Sequence, residues 1–461
     1  MKLRKILIKV GVGFLALVAA VLVVRAVLNF TEGRALARTL AALKAQGVPL
    51  TARDLAPFCP DEDNAARLLK AFDNITTIPG RPTSAQGRPT PKNGNSEIGK
   101  LITRAWQGYA AGKPITPTDR AALKDEILKN EKALAILAEM VDKPCFLFRD
   151  PADPLLTALA PFALQTLQMA RLMFFSILFG AEEGDWNGAI DRLAVGAKLM
   201  PLMAREGTQI SYLISLAGAV TLLEPLGEIS RGREIPEEDL TRLMAVLDPS
   251  PWRDGLASAS RGERVLFVEV GGDILKGSLT DLGSIWEGAH WWQELGIWVM
   301  RPLIKRDIRR SLSAFDFLEA QAKLPYYQNR EALRARDQGL EKRPWYAFLS
   351  KMMLGGSEAA FMKTARVEAI ILASRAGLAC RLYKSRNGGY PERLEDLVPA
   401  LLPEVPIDPF TGKPLVYRRE GEGFIVYSLG SNEKDDGGRS TFMITQLVMD
   451  KDDDWSWKED R

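Results

Sequence analysis

Histidine is almost missing from this sequence and cysteine nearly so: His290 is the single imidazole, and Cys59, Cys145 and Cys380 are the three thiols in 461 residues. A multi-histidine metal centre cannot be assembled within one such chain, and most hydrolytic or proton-shuttling chemistry loses its usual group. His290 stands among Trp286, Trp291 and Trp292, which reads as a half-buried or interfacial ring rather than a lone base or ligand. The cysteines are widely separated and form no Cys-x-x-Cys, which excludes a disulfide framework and a thiolate zinc site and leaves room for one disulfide. A nucleophile elbow, a phosphate-binding glycine loop and a dinucleotide fingerprint are also absent.

An excess of charge of one sign is the next absence. The 61 basic and 58 acidic side chains are well mixed and leave a net charge of +3, so no long-range field marks a nucleic-acid binder. The length exceeds what one core usually organises and favours two or three folding units that need no covalent staples.

What is present begins with a long apolar run, Ile6 to Phe30, interrupted only by Lys9 and Arg25 near its ends. Lys2, Arg4 and Lys5 precede it. Residues 1–30 therefore read as a transmembrane anchor, with a cleaved signal peptide as the main rival because Ala20 and Ala26 offer small residues for cleavage. Arg25, Arg34 and Arg38 blur the positive-inside count, yet the short basic N-terminus favours a cytoplasmic start, with Asn29 and Phe30 at the outer interface. The expectation is a single-pass protein of the inner membrane with its body outside the cytoplasm.

Residues 31–350 read as a helical extracytoplasmic domain. Ala35 to Gln46 suggests a short amphipathic helix stopped by Gly47 and Pro49. The acidic cluster Asp61, Glu62, Asp63 and Asn64 reads as the first turn of a helix, Ala65 to Phe72, rather than as a cation site. Thr76 to Glu97, rich in Pro, Gly, Ser, Thr and Asn, reads as an exposed excursion. Helical periodicity resumes at Thr118 to Met140. Leu155 to Gly180 is apolar enough to suggest a second span, but Pro161, Gln165, Gln168 and Arg171 point to a buried helix. Ala189 to Met203 then completes an antiparallel hairpin, within a phrase, GDWNGAIDRLAVGAKLM, that weakly resembles one tetratricopeptide-type unit. Gln209 to Ile229, Pro236 to Leu247 and Ser311 to Ala322 extend the array. Ser284 to Arg310 holds four of the ten tryptophans beside Arg301, Lys305, Arg306, Arg309 and Arg310; core tryptophan beside a solvated basic face is the reading preferred over an interfacial helix.

Residues 351–461 predict a small α+β module. Phe361 to Lys384 repeats apolar residues at helical spacing and is ended by Asn387, Gly388 and Gly389, whereas Leu415 to Arg418 and Phe424 to Ser428 flank a hairpin signature at Glu420 to Gly423. Here NGGYPERLEDLV, VPIDPFTGKPLVYR and YSLGSNEKDDGG follow one another, before an acid-rich stretch with Trp455. In that order they resemble the globular domain of the type II secretion major pseudopilin and its type IV pilin relatives. Two departures stand out: the anchor lies more than three hundred residues upstream of the module, and no Gly-Phe-Thr-Leu-x-Glu motif precedes it. The resemblance implies a calcium loop after the YSLG strand, with ligands at Leu429 (backbone carbonyl), Asn432, Asp435 and Asp436 and with Asp452, Asp453 and Asp454 closing it; Asn432 replaces the family's frequent Asp.

The fold class read from the sequence is thus mainly α: an N-terminal transmembrane helix, a helical-hairpin array and a pseudopilin-like C-terminal module. The function read from it is a non-enzymatic scaffold or protein-interaction protein of the bacterial envelope with an envelope protein as partner. An accessory role in a secretion or pilus-like system is the first alternative, and a carboxylate-dependent cell-wall hydrolase the second.

Overall fold

An apolar run without proline propagates a helix well beyond the length of one span, because each added residue closes a backbone hydrogen bond that lipid cannot replace. In a computed structural model that describes residues 2–55, 59–68, 97–147, 155, 163–223, 226–276, 291–438 and 455–459, the first element is α1, Lys2–Ala45. It is one unbroken helix, so the expected separate helix at Ala35 to Gln46 is its last part. Gly47 ends it in the left-handed region (φ 74°), where its N–H reaches the Lys44 carbonyl and that of Val48 reaches Leu43. Among the described residues, this is the one helix long and apolar enough to cross a membrane, and Phe14, Leu15, Val21, Val24 and Phe30 are exposed along it.

The body is built from α2 (Glu97–Ala110), α3 (Pro117–Lys129), α4 (Glu131–Met140), α5 (Ala163–Glu182), α6 (Trp186–Ala204), α7 (Gln209–Leu223) and α8 (Glu237–Val246). It continues with α9 (Pro251–Lys276), α10 (Trp291–Ala322), α11 (Tyr326–Glu341), α12 (Phe348–Leu354) and α13 (Ser357–Asn387). The helix expected over Thr118 to Met140 is divided at Asn130, whose side-chain amide donates to the Glu126 carbonyl at 2.8 Å and so competes with the backbone ladder. Ala65 to Phe72 is reduced to a 3-10 turn, Ala65–Leu68, within the described residues; of the excursion expected at Thr76 to Glu97, all but Glu97, which opens α2, lies outside them, as does His290. The apolar α5 is a core helix, with Leu172, Phe174 and Phe175 fully buried, and packs antiparallel on α6 through the turn at Gly184. Asp185 caps α6 by accepting from the Gly188 N–H. Helices α2, α9 and α11 have no counterpart in the sequence pattern.

The last helix, α13, departs from a one-faced amphipathic element. Val367, Glu368, Ala369, Ile370, Ile371, Ala373 and Ser374 are all buried, because α7, α8, α9 and α11 surround one half and a sheet covers the other. Small residues make that possible. The sheet is antiparallel in the order β1 (Val416–Glu420), β2 (Gly423–Ser428), β3 (Trp455–Glu459), with Val416 opposite Tyr427 and Val426 opposite Trp457. Trp457 lies over Gly377 so closely that a Cβ there would sit 2.4 Å from the ring. One continuous set of buried side chains runs from Leu36 on α1 to Trp457 on β3. The chain is mainly α, with a long apolar N-terminal helix and a small C-terminal sheet.

Candidate functional site

The loop that follows β2 is shaped by its own hydrogen bonds. Asp408, fully buried, accepts from the Phe410 N–H, the Ser428 hydroxyl and the Leu429 N–H, all at 2.9 Å, and thereby ties the VPIDPF segment to the start of the loop. Asp435 accepts from the Tyr427 hydroxyl at 2.7 Å and from the Gly437 N–H at 2.9 Å. The tyrosine hydrogen bond, followed by the Gly437 amide, holds the Asp435 carboxyl below the usual carboxylate range. The Asn432 amide donates to Asp436 at 2.8 Å while its oxygen accepts from the Lys434 N–H. Glu433 takes a left-handed backbone (φ 58°) and pairs with Arg330.

The structure therefore brings Leu429, Asn432, Asp435 and Asp436 into one loop, with the side-chain groups of the last three engaged by the loop or by Tyr427. Calcium needs six to eight oxygens. A cation here would have to compete with the Tyr427 hydroxyl and the Gly437 amide for Asp435 and with Asn432 for Asp436. Asp452, Asp453 and Asp454 lie outside the described residues. Among the described residues, no three His, Cys, Asp or Glu side chains gather as a metal-holding group.

A cleft of about 880 Å³ opens between α8, the end of α13 and the β1–β2 turn, lined among others by Arg233, Glu237, Arg381, Lys384, Tyr390 and Glu422. Its charges answer one another: Glu237 accepts from Ser385 and Arg386, and Arg381 donates to the Ser230 and Arg233 carbonyls. The lining carries both signs of charge, Arg233, Arg381 and Lys384 against Glu237 and Glu422, and the Ser385 hydroxyl is engaged by the Glu237 carboxylate at 2.8 Å.

The most specific interaction network lies where α1 leaves its apolar stretch. Glu32, buried at the root of the helix, accepts from Arg306 at 2.7 Å and from Arg309 at 3.0 Å on α10. Three residues earlier, Asn29 accepts from Lys305 at 2.8 Å. Arg25 donates to the Trp298 carbonyl at 3.1 Å, and its guanidinium lies 3.3 Å from the centre of the Trp298 ring. Trp298 is thus no core tryptophan: it stacks on Arg25 of α1 and keeps 37 % of its surface exposed. The preference for buried tryptophan in Ser284 to Arg310 fails at this residue because α10 runs beside α1 instead of ending inside the body.

Sequence reasoning placed Arg306 and Arg309 on a solvated face and gave Glu32 no part. The available signal was the i, i+3 pair of arginines and the first acid after the apolar run, but a contact across 274 residues leaves no local trace. The same holds for Glu368 and Arg253, which form a bidentate pair at 2.7 and 3.0 Å inside the helical body. Burial pushes the Glu368 carboxyl up, with Arg253 opposing the shift. Cys59 and Cys145 form a disulfide, with Cα atoms 6.2 Å apart, that fastens the segment after α1 to the segment after α4. No known protein family, no curated protein and no solved structure matches the chain.

Proposed function

We propose that this chain is a membrane-anchored scaffold of the bacterial envelope, held by α1 in the inner membrane with a helical protein-binding body outside the cytoplasm. The observation that carries the reading is the continuity of α1: its apolar length is exposed, and its last turns, from Glu32 onward, are built into the body through Arg306, Arg309 and Leu36. Exposed apolar surface along the first part of a helix whose last turns are buried in the body supports a place in lipid for that first part. The Cys59–Cys145 disulfide supports an oxidising compartment for the body, since such bonds are rare in a reducing cytosol. The reading is tested by cross-linking intact cells and purifying the full chain from membranes. Repeated recovery of the same envelope proteins is expected, and recovery of none would remove the scaffold role.

A second reading, an accessory of a secretion or pilus-like system, is favoured by the C-terminal order of a long helix under a three-stranded antiparallel sheet. Loss of the gene product would then change export of secreted enzymes; unchanged export would dispose of it. Calcium belongs to the proposal as an occupant of the Leu429, Asn432, Asp435 and Asp436 loop. Millimolar calcium, and not magnesium, should then raise the melting temperature of the wild-type protein more than that of Asp435→Asn. Equal curves would eliminate the ion.

A further inference from the structure

Helices α1 and α10 run parallel where they meet. Arg25 pairs with Trp298, Asn29 with Lys305, and Glu32 with Arg306 and Arg309, so both residue numbers rise together along the contact. Trp291, the first residue of α10, therefore starts seven residues below the level of Arg25, or about 10 Å at 1.5 Å per residue. That depth lies alongside the apolar part of α1.

The described side chains of this end of α10 suit lipid. Leu295 is 51 % exposed and Val299 50 % exposed, and on the neighbouring helix Val21, Leu22, Val24 and Val27 are exposed as well. Apolar surface on two adjacent parallel helices, ending at the same level, continues the surface of the anchor itself. Tryptophan at that level fits the interfacial belt.

Just above it stand three cations. Arg25 and Lys305 flank Arg301 along the α1–α10 contact, and partial burial, then the positive charges of Arg301 and Arg25, hold the Lys305 amine below its usual value. No carboxylate forms an ion pair with any of the three among the described residues, and the one acid at hand, Glu32, is taken by Arg306 and Arg309. The Nε of Arg301 is buried without a hydrogen-bond partner. Three half-buried like charges, one of them beside an unanswered donor and none with a carboxylate, attract an anion from outside the chain.

We propose that Arg25, Arg301 and Lys305 receive the phosphate of an anionic phospholipid in the outer leaflet, while Leu295, Trp298 and Val299 lie among its acyl chains. The site rests on the anchor reading above and adds to it a lipid class and a place. It turns the first two turns of α10 into a second membrane contact, which fixes how the body stands over the bilayer. A single helix could not do this, since it leaves rotation about its axis free.

The test uses the full chain reconstituted into vesicles and follows tryptophan quenching by brominated phosphatidylglycerol or brominated phosphatidylcholine at equal mole fraction. The wild type should be quenched more by the anionic lipid. Arg301→Gln should reduce that preference about fivefold, the effect of one basic residue at a charged surface, whereas Arg301→Lys should keep most of it. Trp298→Phe should lower quenching by both lipids. Inorganic phosphate in the buffer should leave the preference unchanged; its abolition would overturn the lipid assignment in favour of a free-anion site. Flotation with the vesicles but equal quenching by the two lipids would overturn the lipid site and leave the anchor standing. A chain that does not float at all would overturn both.

Discussion

Glu32 on the N-terminal helix is clamped by Arg306 and Arg309, residues 274 and 277 positions away, so α1 and the body share a part-buried ionic joint. Breaking a joint of this kind leaves two guanidinium groups without their counter-charge in a part-buried site. Glu32→Gln should therefore lower stability by about 2 to 3 kcal/mol and speed hydrogen exchange along residues 300–312. Thermal melting and exchange of the detergent-solubilised chain measure both. Unchanged exchange there would mean that the joint does not hold α10 to α1.

The Arg253–Glu368 pair makes a sharper prediction inside the body. Glu368 is 2 % exposed and spans its arginine with both oxygens. Glu368→Ala should cost about 3 kcal/mol, because Arg253 stays behind unpaired, whereas the double change Arg253→Met, Glu368→Leu should recover most of the loss. Chemical denaturation of the three proteins checks the cycle.

Stability should also carry a pH signature from Glu263. It lines one small cavity with Leu256, Phe315 and Phe361, and burial raises its carboxyl to about 7, opposed by the hydrogen bond from the Gln209 amide. The folded state then holds a proton that the unfolded state has released between the ordinary glutamate value and about 7. Its contribution is complete at lower pH and is lost as pH rises through that window. Melting temperature measured from pH 5 to pH 8 should fall less steeply for Glu263→Gln than for the wild type. Identical slopes would show that Glu263 titrates normally.

The Cys59–Cys145 bond closes a loop of sequence separation 86. On the chain-entropy account such a crosslink stabilises by about 4 kcal/mol, so Cys59→Ala and a reducing agent should lower the melting point alike. Reduction should have no further effect on the variant. Buried Cys380, whose thiol is pushed up by desolvation, should stay unmodified by maleimide until the protein unfolds.

The parts of this architecture that could be read from residue order share a local cause. The span of α1, the buried α5, the α5–α6 hairpin and the β1–β2 turn each follow from side-chain type within one or two turns of chain. Helix α9 escaped because Gly255, Gly262, Gly271 and Gly272 interrupt its apolar pattern. In the folded chain a Cβ at Gly262 would lie 1.3 Å from the Gly207 carbonyl oxygen, so that glycine serves a neighbouring segment and not its own helix. Helix α11 escaped because Arg330, Arg334 and Arg336 dominate its composition; they reach Phe410, Glu358 and Leu354.

The candidate sites divide along the same line. The loop at Leu429 to Asp436 was singled out by the family resemblance of the YSLGSNEKDDGG phrase, whereas the engagement of Asp435 by Tyr427 depends on the strand before it. The α1–α10 joint was not legible. Its acid and its arginines are each ordinary in their own surroundings, and only the parallel run of two helices far apart in sequence makes them a site.

The account depends most on the side of the membrane that holds the body, and protease added to intact spheroplasts reads this directly. Degradation of residues 97–438 in spheroplasts, without prior lysis, is the result predicted. A body that survives until the membrane is opened, and is then digested, would contradict it.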